Sequence, residues 1–226
     1  MSLSCPRLST RYGRRAVLRK LPACFGVLPL LAARPAAARE IRLMMLGDSI
    51  TAGYGLARER ALPARLEAAL RARGHAVRVL DAGVSGDTTA GGRARLAWAL
   101  AERPDAVIVA LGGNDGLRGI EPRATEANLA AILDALAARG LPAMLAGMLA
   151  PPNLGAEYGR DFAATYARLA EARPEVVFYP FLLEGVAGEA ALNQPDRIHP
   201  NEAGVAELVR RMLPFVESLL ARVPAG

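Results

Sequence analysis

The sequence predicts a doubly wound α/β fold, and two observations carry that prediction. From residue 40 onward, short apolar runs of four to eight residues alternate with longer segments of helical period. The runs are also nearly continuous in apolar character, as strands of a parallel sheet buried on both faces must be.

The candidate strands are Ile41–Leu46, Val77–Leu80, Ala106–Leu111, Ala143–Leu149 and Val176–Tyr179. Between the third and fourth, Leu129, Ile132, Leu133 and Leu136 form an i, i+3, i+4, i+7 stripe. Arg139-Gly140 and then Pro142 end that helix. The last helix opens at Asn201, a good N-cap, and places Val205, Leu208, Val209 and Met212 on one face. Pro214 is expected to kink or interrupt it. Trp98 falls in a helical segment and is expected to pack.

The chain of 226 residues suits one domain with a sizeable core. Its net charge of +6 is concentrated at the start. Residues 1–38 hold Arg7, Arg11, Arg14, Arg15, Arg19, Lys20 and Arg34 and no acidic residue, leaving 21 basic against 22 acidic side chains in the remainder. That remainder has no basic stripe, so a nucleic-acid partner is not expected.

Residues 1–38 read as an export signal. A basic stretch ends in Arg14-Arg15-Ala16-Val17-Leu18-Arg19-Lys20, an apolar stretch runs from Leu21 to Ala33, and Ala36-Ala37-Ala38 offers small residues for cleavage. The paired arginines resemble a twin-arginine signal. Thirteen apolar residues interrupted by Pro22 and Pro29 are too few to cross ~30 Å of hydrocarbon, so no stable membrane anchor is expected. Both cysteines, Cys5 and Cys24, lie in this stretch. Residues 39–226 therefore hold no thiol for a disulfide, a cysteine nucleophile or a cysteine-ligated metal. The expected location is the periplasm or outside the cell.

In an open parallel sheet, ligands bind beyond the carboxyl ends of the strands. That filter sorts the candidate chemistry. Beyond residue 38 there are three serines, Ser49, Ser85 and Ser218. Ser49 follows the first strand in Gly47-Asp48-Ser49-Ile50-Thr51 and Ser85 follows the second, whereas Ser218 lies in the last helix. A serine at a strand-to-helix turn also meets the positive end of the following helix. Taken alone, such an Asp-Ser is an ordinary helix cap.

Histidine discriminates. His75 precedes the second strand, at the wrong edge, and reads as a solvated turn residue. His199 lies in Asp196-Arg197-Ile198-His199-Pro200-Asn201, after the fifth strand. An Asp three residues ahead can turn its carboxylate onto the imidazole Nδ1–H, leaving Nε2 free to take a serine proton. Acyl transfer also needs donors for an oxyanion. Asn114, in Gly112-Gly113-Asn114-Asp115-Gly116, and the backbone of Gly86 come from two further strand ends.

Gly47-Asp48-Ser49, Gly86, Gly112-Gly113-Asn114-Asp115 and Asp196–His199 resemble the four blocks of the SGNH (GDSL-like) hydrolases. Val84-Ser85-Gly86-Asp87-Thr88-Thr89 and the run Leu111 to Gly119 look like the branch with acyl-CoA thioesterase I, lysophospholipase L1 and arylesterase enzymes. The resemblance covers roughly residues 40–220. It implies a three-layer α/β/α sandwich with a five-stranded parallel sheet of flavodoxin-like character. It also implies hydrolysis of carboxylic esters or thioesters, with Ser49 as nucleophile, His199 as base and then acid, and Asp196 orienting it. The backbone N–H groups of Ser49 and Gly86 and the side chain of Asn114 would hold the oxyanion. No metal or organic cofactor is implied. The partner expected is a small acyl ester or thioester, and the oligomeric state is left open.

The elbow Gly-x-Ser-x-Gly of α/β-hydrolases is absent, because Thr51 fills its last position. The loop Ala150-Pro151-Pro152-Asn153-Leu154-Gly155 follows the fourth strand and suits an acyl groove. Leu117, Pro152 and Leu154 are the candidate substrate-binding residues. The alternative on this scaffold, a carbohydrate acetylesterase, would want a small acyl pocket and a polar sugar platform. A non-catalytic binding module of flavodoxin-like fold is the alternative of another class.

Overall fold

The computed structural model describes residues 39–224, together with Met1, Ser2, Ser4 and Ser9. Residues 39–224 belong to one compact unit. The basic stretch with Arg14-Arg15, both cysteines and Ala36-Ala37-Ala38 lie outside the described residues.

Five strands, β1 (Ile41–Gly47), β2 (Val77–Gly83), β3 (Ala106–Ala110), β4 (Ala143–Ala146) and β5 (Val177–Tyr179), pair in parallel in the order β2-β1-β3-β4-β5. Among the described residues, seven α-helices interleave with them: α1 (Ser49–Ala52), α2 (Leu62–Ala72), α3 (Thr89–Ala99), α4 (Gly113–Leu117), α5 (Pro122–Ala137), α6 (Ala156–Glu171) and α7 (Glu202–Leu220). The expected doubly wound sheet is present. Right-handed crossovers place the β1–β2 connection on one face and the three later connections on the other. The contacts agree: α2 packs on α7, while α3, α5 and α6 pack in a row.

The centre of the sheet is dry. Leu43 to Leu46 of β1, all of β3 and all of β4 are buried. Each large aliphatic side chain buried there contributes about 1.5–3 kcal/mol. The stripe Leu129, Ile132, Leu133 and Leu136 on α5 is buried as its period requires, as is the face Val205, Leu208, Val209 and Met212 on α7. Asn201 caps α7, its Oδ1 accepting from the Gly204 N–H at 3.0 Å.

Three expectations need correction. Pro214 does not interrupt α7, which runs on to Leu220 with Val216, Leu219 and Leu220 still buried. The buried stripe outweighs the one helical hydrogen bond that proline removes. Trp98 does not pack: it is 75% exposed. The buried positions of α3 are Thr89, Gly92, Leu96 and Ala99, and a residue two beyond Leu96 points to the opposite side. His75 does precede β2, away from the site, but it is only partly solvated, its Nε2 lying 3.1 Å from Glu217 Oε1 beside the Arg73–Glu217 ion pair.

Strand ends also differ. β4 stops at Ala146: the Gly147 N–H makes the last bond to β5, on Tyr179 O (2.7 Å), and its C=O accepts instead from the Leu182 N–H beyond β5 (2.8 Å). Met148 stays buried, but Leu149 swings out to 49% exposure. β2 continues past Leu80 to Gly83, pairing with β1 through Gly47. It is an edge strand, so Asp81 is exposed and its end carries no apolar signal.

Candidate active site

In the order 2-1-3-4-5 the chain leaves β1 toward β2 on one side and later winds away on the other, opening a crevice beyond the end of β1. Ser49, the first residue of α1, stands there. The turn before it is held by Asp48, whose Oδ1 accepts the Ile50 N–H at 3.0 Å.

Ser49 Oγ is 2.8 Å from His199 Nε2, and His199 Nδ1 is 2.6 Å from Asp196 Oδ2. The other oxygen, Asp196 Oδ1, accepts the N–H groups of Ile198 (2.9 Å) and His199 (3.0 Å). These backbone donors and the imidazole hold the Asp196 carboxyl down at about 2, so it is ionised at any working pH. With a carboxylate on Nδ1, the neutral ring keeps its proton there and presents a bare Nε2 to the serine.

The histidine loop is braced from both sides. Gln194 donates through Nε2 to Tyr54 O (2.7 Å) and Pro200 O (3.0 Å), and its N–H donates to His199 O (2.7 Å). The Tyr54 ring lies against the imidazole, centroids 4.5 Å apart.

Of the expected oxyanion donors, Asn114 lines the same cleft as Ser49 and His199, and Gly86 lies on the loop after β2, at φ +81°, a conformation that suits glycine. Its carbonyl accepts from Arg118 Nη2 at 2.9 Å. Asn114, in α4, donates through Nδ2 to the carbonyl of Asp87 at 2.9 Å, which leaves its second amide hydrogen to offer. Neither the Ser49 nor the Gly86 N–H meets a protein acceptor among the described residues. Gly112 turns the chain into α4 at φ +115°, and a Cβ there would collide with the Tyr166 hydroxyl. Ser85, exposed on the loop after β2, does not join the histidine.

A cleft of about 460 Å³ opens from this centre. Of the candidate substrate-binding residues, Leu117 and Pro152 line it; Leu154 does not, and lies toward Gly119 instead. Sequence reasoning missed Ile50, Met148, Leu149, Phe181, Leu183 and Ile198, which supply most of the apolar wall. The strand-end rule, applied to residues 180–183 after β5, points to the loop bearing Phe181 and Leu183. A wider depression of about 660 Å³ beside β2 contains none of the serine, histidine or asparagine.

Asp48 is the other unforeseen feature. It is 2% exposed, and burial, only partly offset by the Ile50 N–H and the attraction of His199, raises its carboxyl to about 6. Arg95 was also missed. Its Nε pairs with Asp87 Oδ2 (2.7 Å) and its Nη2 donates to Gly47 O (2.9 Å), joining the β2 loop to the serine turn. Among the described residues, no three His, Cys, Asp or Glu side chains converge as a metal site, and no helix is long and apolar enough to cross a membrane.

Residues 45–206 match the model of the GDSL-like lipase/acylhydrolase family. The chain is 41% identical over 179 residues to esterase TesA of Pseudomonas aeruginosa, covering 79% of this chain and 89% of that protein. It is 38% identical over 203 residues to thioesterase 1/protease 1/lysophospholipase L1 of Escherichia coli strain K12, covering 89% and 90%. The structure superposes on that of AlinE4, an SGNH-hydrolase family esterase, with a TM-score of 0.69 and 44% identity, covering 82% of this chain and 99% of that one. The chain therefore belongs to the GDSL-like lipase/acylhydrolase family and is a serine esterase on an SGNH-hydrolase scaffold.

Proposed function

We propose that Ser49 attacks the acyl carbon of a carboxylic ester or thioester while His199 takes its proton at Nε2. Asp196 orients the imidazole and stabilises the imidazolium. The oxyanion is received by the N–H groups of Ser49 and Gly86 and by Asn114 Nδ2. His199 then returns the proton to the leaving group, and water releases the acyl chain by the same steps in reverse order. The continuous relay from Asp196 through His199 to Ser49 Oγ carries this reading.

The apolar wall supports an acyl chain as the bound group. Leu117, Leu149 and Ile198 are 45–49% exposed there, a cost in water that a bound hydrocarbon relieves. A sugar platform would need polar side chains in their place. Aryl esters, acyl-CoA thioesters and lysophospholipids are the classes to test, a reading supported by the relatives' names as a thioesterase and a lysophospholipase.

Ser49→Ala is expected to abolish hydrolysis of nitrophenyl esters with an unchanged melting temperature, and a fluorophosphonate should label Ser49. Labelling of Ser85 would refute the assignment. Export through the twin-arginine route is proposed from Arg14-Arg15. The Arg14→Lys/Arg15→Lys variant should stay in the cytoplasm, and its unchanged export would point to the general secretory route.

A further inference from the structure

Arg197 stands between Asp196 and His199 with φ +61°. The one other described non-glycine residue at positive φ is Arg103, at the end of a helical turn where a left-handed residue is ordinary. Arg197 has no such excuse. Its N–H donates to Gln194 O at 2.9 Å, and the left-handed turn lets the next two N–H groups fold back onto Asp196 Oδ1. A glycine would make this turn without strain, so loop geometry does not account for the arginine.

Arg197 is exposed and lines the cleft, where it is the single arginine or lysine. Among the described residues it forms no ion pair and no side-chain hydrogen bond, unlike Arg95, Arg168, Arg173, Arg210 and Arg211. Two carboxyls belong to the site. Asp196 is committed to the His199 ring and two N–H groups, and Asp48 is buried beneath the serine turn.

We infer that Arg197 recognises an anionic group on the leaving-group side of the substrate. The inference rests on the proposed roles of Ser49 and His199. His199 must hand its proton to the departing oxygen or sulfur, so the leaving group lies against Nε2. Arg197 is two residues away on the same braced loop. A guanidinium there meets a phosphate, sulfonate or carboxylate carried by the leaving group, and the apolar wall takes the acyl chain.

The test uses three esters of matched chain length: a phenyl ester, the 4-sulfonatophenyl ester of the same acid, and a phenyl ester whose acyl chain ends in a carboxylate. The quantity read is kcat/KM for each anionic ester divided by that for the neutral one, which cancels the folded fraction of each variant. In the wild type, the sulfonatophenyl ratio should fall with added salt as the pair is screened. Arg197→Gln should lower that ratio by roughly three- to tenfold and Arg197→Glu by more, with the salt dependence lost or reversed. A sulfonatophenyl ratio unchanged in both variants would overturn the inference. So would a change confined to the ester with the acyl-chain carboxylate. Failure of the wild type to cleave even the neutral ester would instead count against the catalytic reading of Ser49 and His199.

Discussion

The side-chain amide of Asn114 holds the main-chain carbonyl of Asp87 at 2.9 Å. The bond ties α4 to the loop that carries Gly86, so two of the proposed oxyanion donors are fixed relative to each other before substrate arrives. Preorganisation of this kind acts where charge develops, because the carbonyl oxygen is neutral in the substrate and anionic in the tetrahedral intermediate.

Loss of one such donor costs roughly 2.7–4 kcal/mol, or about 10²–10³ in rate. Asn114→Ala is therefore expected to lower kcat on that scale with little change in KM or melting temperature. Steady-state kinetics on a nitrophenyl ester would check it. A KM effect with kcat intact would make Asn114 a binding residue, and a tenfold or smaller loss would leave the backbone donors sufficient.

Asp48 links stability to pH. Its folded value of about 6 lies above the ordinary 3.8, so between these the native state keeps a proton the unfolded chain has lost. Its contribution is therefore fully present below about 3.8 and is lost as pH rises through about 6. Asp196 has the opposite sign. Its value of about 2 gives a contribution present above 3.8 and lost as pH falls toward 2, reduced by solvent because the side chain is 37% exposed. Asp48→Asn keeps an oxygen for the Ile50 N–H and removes the buried charge. It should be more stable than the wild type by on the order of 2–3 kcal/mol at pH 8 and nearly equal to it at pH 4. Urea denaturation at the two pH values measures this. Its kcat is expected to fall, since the ionised Asp48 attracts the His199 imidazolium. A variant more stable at pH 4 than at pH 8 relative to the wild type would refute the assignment.

The strands themselves were legible in the sequence because each is a nearly unbroken apolar run, and two of the chemical blocks follow such a run directly. Gly47-Asp48-Ser49 and Gly112-Gly113-Asn114 stand at the ends of β1 and β3, while Asp196–His199 lies further along, on the connection from β5 to α7. The limits of β2 were not, because an edge strand keeps Asp81 in solvent. Helices α1 and α4 are too short to show a period. The cleft wall was half hidden for another reason. Leu149 reads as the last residue of a strand, and Ile198 as filler between an aspartate and a histidine. Only the divergence of the chain after Gly147 and the turn at Arg197 bring them to the cleft. Arg95 gave no signal, since one arginine on a helix among 27 arginines and one lysine carries no mark of its partners.

Asp115, beside Asn114, tests whether a site residue can be told from a structural one. It is 1% exposed. Its carboxyl accepts the Thr89 N–H (2.9 Å), the Thr89 hydroxyl (2.5 Å) and the Thr125 hydroxyl (3.2 Å), drawing the starts of α3 and α5 onto α4. Thr89 and Thr125 are themselves fully buried, so no water replaces the carboxyl when it is removed. Each orphaned donor costs about 1–3 kcal/mol. Allowing for hydroxyls that rotate to other acceptors, Asp115→Ala should destabilise the protein by about 3–5 kcal/mol. Asp115→Asn retains one acceptor oxygen but presents an amide to the donors, and should lose roughly half as much. Chemical denaturation gives both numbers. The folded fraction of Asp115→Ala, assayed cold and corrected by fluorophosphonate titration of active sites, should keep kcat well above that of Asn114→Ala. If it instead matches the Asn114 variant in kcat at full stability, Asp115 acts on the reaction and Asn114 alone does not define the third donor.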